Sequence, residues 1–169
     1  MEFILRKWTE KDLESLVKHA NNFKIAKFLT NQFPYPYTKE AGQKFLSFVT
    51  DQCADKIMAI DINGEAVGSI GVFPQADIHE KNAEMGYWLS EMYWGKGIMT
   101  EAIKQMCEYG FRQFDITRIY ARPFGINRAS QRVLEKAGFT LEARFSNALF
   151  KNGEFMDELI YSIQTDTAK

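Results

Sequence analysis

Gly95 and Gly97 form a Gly-x-Gly turn between an apolar run at residues 83–90 and the start of an amphipathic pattern. A strand that enters such a turn and then a helix aims several backbone N–H groups at one point, near the positive end of the helix dipole. Glycine suits the turn because a side chain would block close approach of an anion and because the backbone can need a positive φ. The spacing therefore predicts an anion site, most simply for phosphate.

Two common nucleotide-binding motifs do not fit this turn. A P-loop needs Gly-x-x-x-x-Gly-Lys-[Ser/Thr], but here Gly97 follows Lys96, and no glycine stands five positions before Gly95. A dinucleotide fingerprint needs a third glycine where Thr100 stands, near the start of a βαβ unit. An ordinary strand-to-helix connection with two glycines remains an alternative.

A second motif lies at residues 127–139, which read Asn-Arg-Ala-Ser-Gln-Arg-Val-Leu-Glu-Lys-Ala-Gly-Phe. With this motif the chain resembles the GNAT superfamily of acyl-CoA-dependent N-acetyltransferases, and within it the Rim-type branch that acetylates N-termini of ribosomal proteins. Four pieces of that branch occur in order, at Gly86–Leu89, Tyr93–Ile98, Val133–Phe139 and Lys151–Glu154. The resemblance spans nearly the whole chain, and it is specific for the family but not for the acceptor.

The resemblance implies an α/β fold with a mixed, mostly antiparallel central sheet flanked by helices. It implies an N-acetyltransferase that moves the acetyl group of acetyl-CoA to a primary amine, a protein N-terminal α-amine or a small-molecule amine, by direct attack in a ternary complex without a metal. It also implies that backbone N–H groups hold the pyrophosphate and that the pantetheine arm pairs like an extra strand. The implied residues are Gly95, Lys96, Gly97, Ile98, Met99 and Thr100 for the pyrophosphate, and Trp88, Leu89 and Ser90 for the arm.

The chain departs from the superfamily pattern at three positions. Trp94 replaces the usual Gln or Arg, as is normal in the Rim-type branch, and Met99 replaces a small residue, so we expect its bulk to narrow the site. Leu134 stands where most members carry the tyrosine that protonates the departing thiolate. The resemblance implies that Ser130 takes this role beside Asn127, which would contact the cofactor. Alternatively, Ser130 is a first-turn hydroxyl that caps a backbone group.

Glu84 is the candidate general base for deprotonating the amine. On a strand it shares a face with Gly86, Trp88 and Ser90, the stretch implied to meet the cofactor. A strand-edge carboxylate or an ion pair is the structural alternative. Lys96 likewise either adds charge to the phosphate site or is an ordinary solvated lysine.

The aromatic loop at residues 33–37 is implied to supply walls of the acceptor pocket, through Phe33, Tyr35 and Tyr37. The same loop could simply cover the core. Asp157, on the last predicted strand, could orient an amine, although such a residue more often makes a structural pair.

Composition limits the remaining classes of function. The 169 residues predict a single domain over 1–169, and a formal net charge of -1 argues against nucleic acid as a ligand. Cys53 and Cys107 are expected to be reduced core residues of a cytoplasmic protein. His19 and His79 have no flanking cysteine cluster, so a zinc site is not expected, and no apolar run reaches the length of a membrane span. The oligomeric state is expected to be a monomer or a homodimer.

Periodicity predicts the elements that must position these residues. Asn63-Gly64 and Asn152-Gly153 mark two hairpins, strands are expected at 2–8, 82–90 and 117–122, and helices follow Thr9, Thr38, the glycine turn and Asn127. Phe45 and Phe48 are expected among the inward positions of the helix that follows Thr38.

Two other classes of function compete with catalysis. A non-catalytic module that binds acyl-CoA is favoured slightly by the missing tyrosine and opposed by the combination of Glu84, Asn127 and Ser130. A nucleotide or NAD binder would require a dinucleotide fingerprint in which Thr100 replaces the third glycine.

Overall fold

The computed structural model describes residues 1–165. Its strands are β1 (Ile4–Lys7), β2 (Ile57–Ile62), β3 (Glu65–Pro74), β4 (Asn82–Leu89), β5 (Arg118–Ala121), β6 (Thr140–Lys151) and β7 (Glu154–Gln164). Its α-helices are α1 (Leu13–Ala20), α2 (Phe23–Ala26), α3 (Lys39–Gln52), α4 (Ile98–Gln113) and α5 (Arg128–Lys136). Short 3-10 helices lie at Glu10–Asp12, Asp77–His79 and Glu91–Tyr93.

The strands form a seven-stranded sheet in the order β1-β2-β3-β4-β5-β7-β6. The pairs β1–β2, β2–β3, β5–β7 and β6–β7 are antiparallel, and β4–β5 is parallel. The predicted α/β fold with a mixed, mostly antiparallel sheet is therefore confirmed. Within residues 1–165, no helix is long and apolar enough to cross a membrane.

The described chain divides into two compact units. The first unit comprises Met1–Gly71 and Tyr87–Ile98. The predicted hairpin between β2 and β3 is confirmed, because Asn63 (φ 55°) and Gly64 (φ 85°) both adopt the left-handed conformation that a tight two-residue turn requires.

In this first unit α3 begins as predicted after Thr38, whose hydroxyl accepts a hydrogen bond from the Ala41 N–H at 3.2 Å. The buried side of α3 contains Leu46 and Val49. The expectation that Phe48 points inward is wrong, since Phe48 is 44% exposed. A helix of 3.6 residues per turn that buries Leu46 and Val49 turns the residue before Val49 outward.

Within the described residues, the second unit comprises Val72–Gly86 and the chain from Met99 to Thr165. Its core includes the fully buried Ile103, Met106, Ile119 and Leu134. The β6–β7 hairpin is confirmed by left-handed Asn152 (φ 53°) and Gly153 (φ 82°). Cys107 in this unit and Cys53 in the first unit are both free and buried, as predicted, and burial raises the pKa of the Cys107 thiol to about 12.

Candidate active site

The junction of β4 and α4 has the backbone geometry that the Gly-x-Gly spacing predicts. Gly95 (φ 73°) and Gly97 (φ 79°) are left-handed, and α4 begins directly afterwards at Ile98. A Cβ added to either glycine would meet no heavy atom of residues 1–165 within 4 Å, so among these residues the turn presents open backbone on its outer side. The first four N–H groups of an α-helix have no intrahelical acceptor, and those of α4 start at this turn. The arrangement fits a pyrophosphate bound through backbone N–H groups.

The side chains next to this turn make contacts within the protein. Lys96 folds back, with Nζ 2.9 Å from the Met92 carbonyl oxygen and 5.3 Å from the centroid of the Tyr93 ring. The Trp94 indole N–H donates to the Leu89 carbonyl at 2.7 Å. Ile98 and Met99 are buried, so each can reach a ligand through its backbone alone.

The end of β4 is pinned on the side that faces β3. The Ser90 N–H donates to the Val67 carbonyl at 2.8 Å, and the Ser90 carbonyl accepts from the Tyr93 N–H at 3.0 Å. Successive residues of a strand direct their backbone groups to opposite neighbours, so the Leu89 N–H points away from β3. The segment Trp88–Ser90 was predicted to meet a pantetheine arm. Within it, the Leu89 N–H is the donor that points to the side of β4 opposite β3.

The aromatic residues at 33–37 do not act as one group. Phe33 packs on Tyr37 and on the edge of Trp88, with ring centroids 5.0 and 5.9 Å apart respectively. Tyr37 is buried, and burial raises its pKa to about 12, which keeps its hydroxyl neutral. Tyr35 is 54% exposed and contacts Phe23 instead. Phe33 thus contacts both Tyr37 and Trp88 of β4, whereas Tyr35 lies at the surface.

Glu84 lies on β4 at the point where this strand pairs with β5, and its register partner is Tyr120. Burial raises the pKa of the Tyr120 hydroxyl, and the charge of the Glu84 carboxylate raises it further. The nearby cation Arg122 forms a two-point pair with Glu158, with Nε–Oε1 at 2.9 Å and Nη2–Oε2 at 3.1 Å. The charge of Glu84 also raises the pKa of Arg122, so Glu84 lies within electrostatic reach of both Tyr120 and Arg122.

Asn127 and Ser130 are brought together at the start of α5. Asn127 is the N-cap residue, and its Oδ1 accepts a hydrogen bond from the Ser130 N–H at 3.2 Å. Gln131 fixes the preceding loop by donating to the carbonyls of Phe124 and Gly125 at 3.3 and 2.9 Å. Leu134, in the place of the usual tyrosine, is fully buried on the same helix.

Asp157 makes the structural pair that was the alternative to a role with the amine. Its Oδ2 accepts from Arg144 Nε at 2.7 Å, and its Oδ1 accepts from the Asn147 N–H at 3.0 Å. These hydrogen bonds hold the pKa of Asp157 below its usual value. We therefore assign it to the hairpin and not to the chemistry.

Two residues that sequence reasoning missed lie beside the predicted ones. Tyr120 is the cross-strand neighbour of Glu84, and only the register of β4 and β5 reveals it. His19 lies 2.9 Å from the Ser90 hydroxyl. Its signal in the sequence was a polar residue on the buried side of α1, between Leu16 and Ala20. In the part of the chain that the structure describes, no cluster of three or more His, Cys, Asp or Glu could hold a metal.

Comparison with known proteins gives a consistent result. The family model described as an acetyltransferase (GNAT) domain matches residues 2–140. An uncharacterized N-acetyltransferase of Bacillus subtilis, YoaA, is 30% identical over 164 residues, which are 95% of this chain and 92% of that protein.

Two solved structures match almost the whole chain. RimL, a ribosomal alpha-N-protein acetyltransferase in complex with coenzyme A, is 25% identical, with a TM-score of 0.83 over 97% of this chain and 94% of that chain. MccE, a microcin self-immunity acetyltransferase in complex with acetyl-CoA and AMP, is 29% identical, with a TM-score of 0.77 over 97% and 93%. Because the family model covers more than half of the residues and YoaA matches across most of both chains, this chain belongs to the GNAT family and is an N-acetyltransferase.

Proposed function

We propose that this enzyme transfers the acetyl group of acetyl-CoA to a primary amine by direct attack, with both substrates bound at once. The observation that carries the proposal is the pair of left-handed glycines, Gly95 and Gly97, immediately before α4. Relatives solved with coenzyme A or acetyl-CoA support the same co-substrate.

Backbone groups hold the co-substrate in this proposal. N–H groups from Gly95 to Thr100 bind the pyrophosphate, where the helix dipole adds to the attraction. The Leu89 N–H binds the pantetheine arm on the side of β4 opposite β3. Bound acetyl-CoA supplies the activated acetyl thioester, and the protein supplies a neutral amine and a proton for the thiolate.

Glu84 takes the proton from the acceptor amine, directly or through one water. At pH 7, neutralising an α-amine of pKa about 7.8 costs about 1 kcal/mol, whereas a lysine side chain costs about 4.6 kcal/mol. A single half-buried carboxylate is better matched to the smaller cost. Within this proposal, the magnitude favours an α-amine over a lysine side chain.

Ser130 relays a proton to the departing thiolate: its hydroxyl gives up one proton as it takes another from a solvent water, and Asn127 fixes the cofactor beside it. The two residues lie on the same first turn of α5, joined by the bond between Asn127 Oδ1 and the Ser130 N–H. Phe33 and Tyr37 form the aromatic wall next to Trp88, and Tyr35 contributes from the surface when the acceptor is a larger molecule.

A non-catalytic acyl-CoA-binding module is the second candidate, because the position of the usual general acid holds the buried Leu134. An acceptor screen separates the two functions. We expect release of free CoA thiol above the background of hydrolysis with N-terminal peptides or small amines, and a matching mass gain in the acceptor. Binding of acetyl-CoA with no acceptor-dependent release from either class would support the binding module.

The glycine turn gives a test of cofactor binding. Gly97→Ala should weaken acetyl-CoA binding at least about tenfold, equivalent to about 1.4 kcal/mol, because the methyl group occupies the approach of the pyrophosphate. Gly153→Ala is the matched control, since Gly153 has nearly the same φ (82° against 79°) and equally open surroundings. Isothermal titration calorimetry on both variants checks this. Equal affinity in the Gly97 and Gly153 variants would reject the phosphate turn.

The proposed role of Glu84 as general base predicts how turnover depends on pH. Glu84→Gln should lower turnover about a hundredfold at pH 7 and recover part of it at higher pH, where solution supplies more neutral amine. Glu80→Gln, at an exposed carboxylate, is the control. Steady-state rates between pH 6 and 9 measure the recovery. A loss of the same size at every pH would make Glu84 a structural residue.

The first turn of α5 gives a test that separates chemistry from binding. Ser130→Ala should bind acetyl-CoA normally and turn over about ten to a hundred times more slowly, since its proton is needed only as the thiolate leaves. Asn127→Asp keeps an oxygen for the N-cap but removes the amide N–H₂, so it should raise the cofactor KM instead. Native turnover in Ser130→Ala would mean that the thiolate leaves without help from this serine.

A further inference from the structure

His19 is a buried polar side chain that links α1 to the end of β4. Its side chain is 2% exposed, its Nδ1 lies 2.9 Å from the Ser90 Oγ, and its Nε2 lies 3.1 Å from the Glu65 Oε1. Glu65 in turn pairs with Lys18 at 2.5 Å. A polar chain of Lys18, Glu65, His19 and Ser90 therefore runs from the surface into the core.

The charges along this chain set the direction of the hydrogen bonds. A carboxylate only accepts, so the nitrogen of a neutral imidazole that faces Glu65 is the protonated one, Nε2. The Nε2 lies 3.1 Å from the Glu65 Oε1 but off the hydrogen-bond axis. In the neutral tautomer with its proton on Nε2, Nδ1 is the acceptor and the Ser90 hydroxyl donates to it.

Ser90 is consequently held at each of its polar groups. Its N–H donates to Val67, its carbonyl accepts from Tyr93, and its hydroxyl bonds to His19. Glu91, the residue that follows Ser90, is also held, because Asn22 and Lys24 both donate hydrogen bonds to its carboxylate. Residues of α1 and α2 thus brace the segment that separates the Leu89 N–H from the glycine turn.

We propose that His19 is a positioning residue for acetyl-CoA, which acts through the Ser90 hydroxyl to fix the Leu89 N–H and the phosphate turn before the co-substrate arrives. The inference rests on the proposed function, because it assigns these backbone groups to the cofactor. A prearranged site binds more tightly because less of the chain must be ordered on binding. His19 touches no reacting atom, so its effect belongs to binding and not to the chemical step.

The two nitrogens of His19 can be tested separately by amide replacements. An asparagine side chain at position 19 would place its amide near the position of Nδ1, where it can still accept a hydrogen bond from Ser90. A glutamine side chain would place its amide near the position of Nε2, from which it cannot accept that hydrogen bond. We expect His19→Gln to weaken acetyl-CoA binding about tenfold with turnover at saturating acetyl-CoA within about twofold of native. His19→Asn should stay within about threefold of native affinity. His79→Gln, at the exposed second histidine, should leave both quantities unchanged.

Calorimetric affinity and the separate values of kcat and KM decide the outcome. Ser90→Ala deletes the hydroxyl with little change in volume, so it tests the same bond if a His19 variant fails to fold. Its loss of affinity should match that of His19→Gln and should not add to it in the double variant. Native affinity in His19→Gln or Ser90→Ala, or equal losses in the Asn and Gln variants, would overturn the inference. If the native protein itself does not bind acetyl-CoA, the proposed function fails first.

Discussion

Most of the proposed site depends on one requirement: several backbone N–H groups must point outward to the single place where the pyrophosphate would bind. The N–H groups at the start of α4 have no acceptor inside the helix. They converge only if the preceding residues turn sharply, and L-residues with a side chain resist the left-handed conformation that Gly95 and Gly97 adopt. The proposed anion site is therefore a property of the backbone, and side chains contribute mainly by holding that backbone still.

The side chains that hold this backbone belong to the first unit, like the two glycines. The Trp94 indole fixes the Leu89 carbonyl, and Lys96 turns back to the Met92 carbonyl. The lysine next to the glycines thus braces its own turn, in contrast to the lysine of a P-loop, which reaches the phosphates. This observation favours a site in which helix-terminal N–H groups, and not a long cationic side chain, supply the attraction for pyrophosphate.

Local rules were enough to predict the features that local geometry determines. The two Asn-Gly hairpins, the Gly-x-Gly turn and the helix start near Asn127 each depend on a few adjacent residues, and each is present. The sequence did not show Tyr120 beside Glu84, because that contact depends on the register of two strands far apart in the chain. It also did not show the four-residue helix α2, which is too short for periodicity to detect, or the outward turn of Phe48.

The proposed division between binding and chemistry also explains how Leu134 can replace a tyrosine. Leu134 is completely buried, and a tyrosine at that position would have to reorganise the core or turn toward solvent. A departing thiolate has a conjugate acid of pKa about 8.5, so its protonation at pH 7 is favourable by about 2 kcal/mol without a strong acid. That proton comes from solvent, so the group beside the sulfur has to relay it from the right position and need not itself be a strong acid. The capped first turn of α5 offers such a position at Ser130, since the Asn127 side chain fixes the backbone from which the hydroxyl projects.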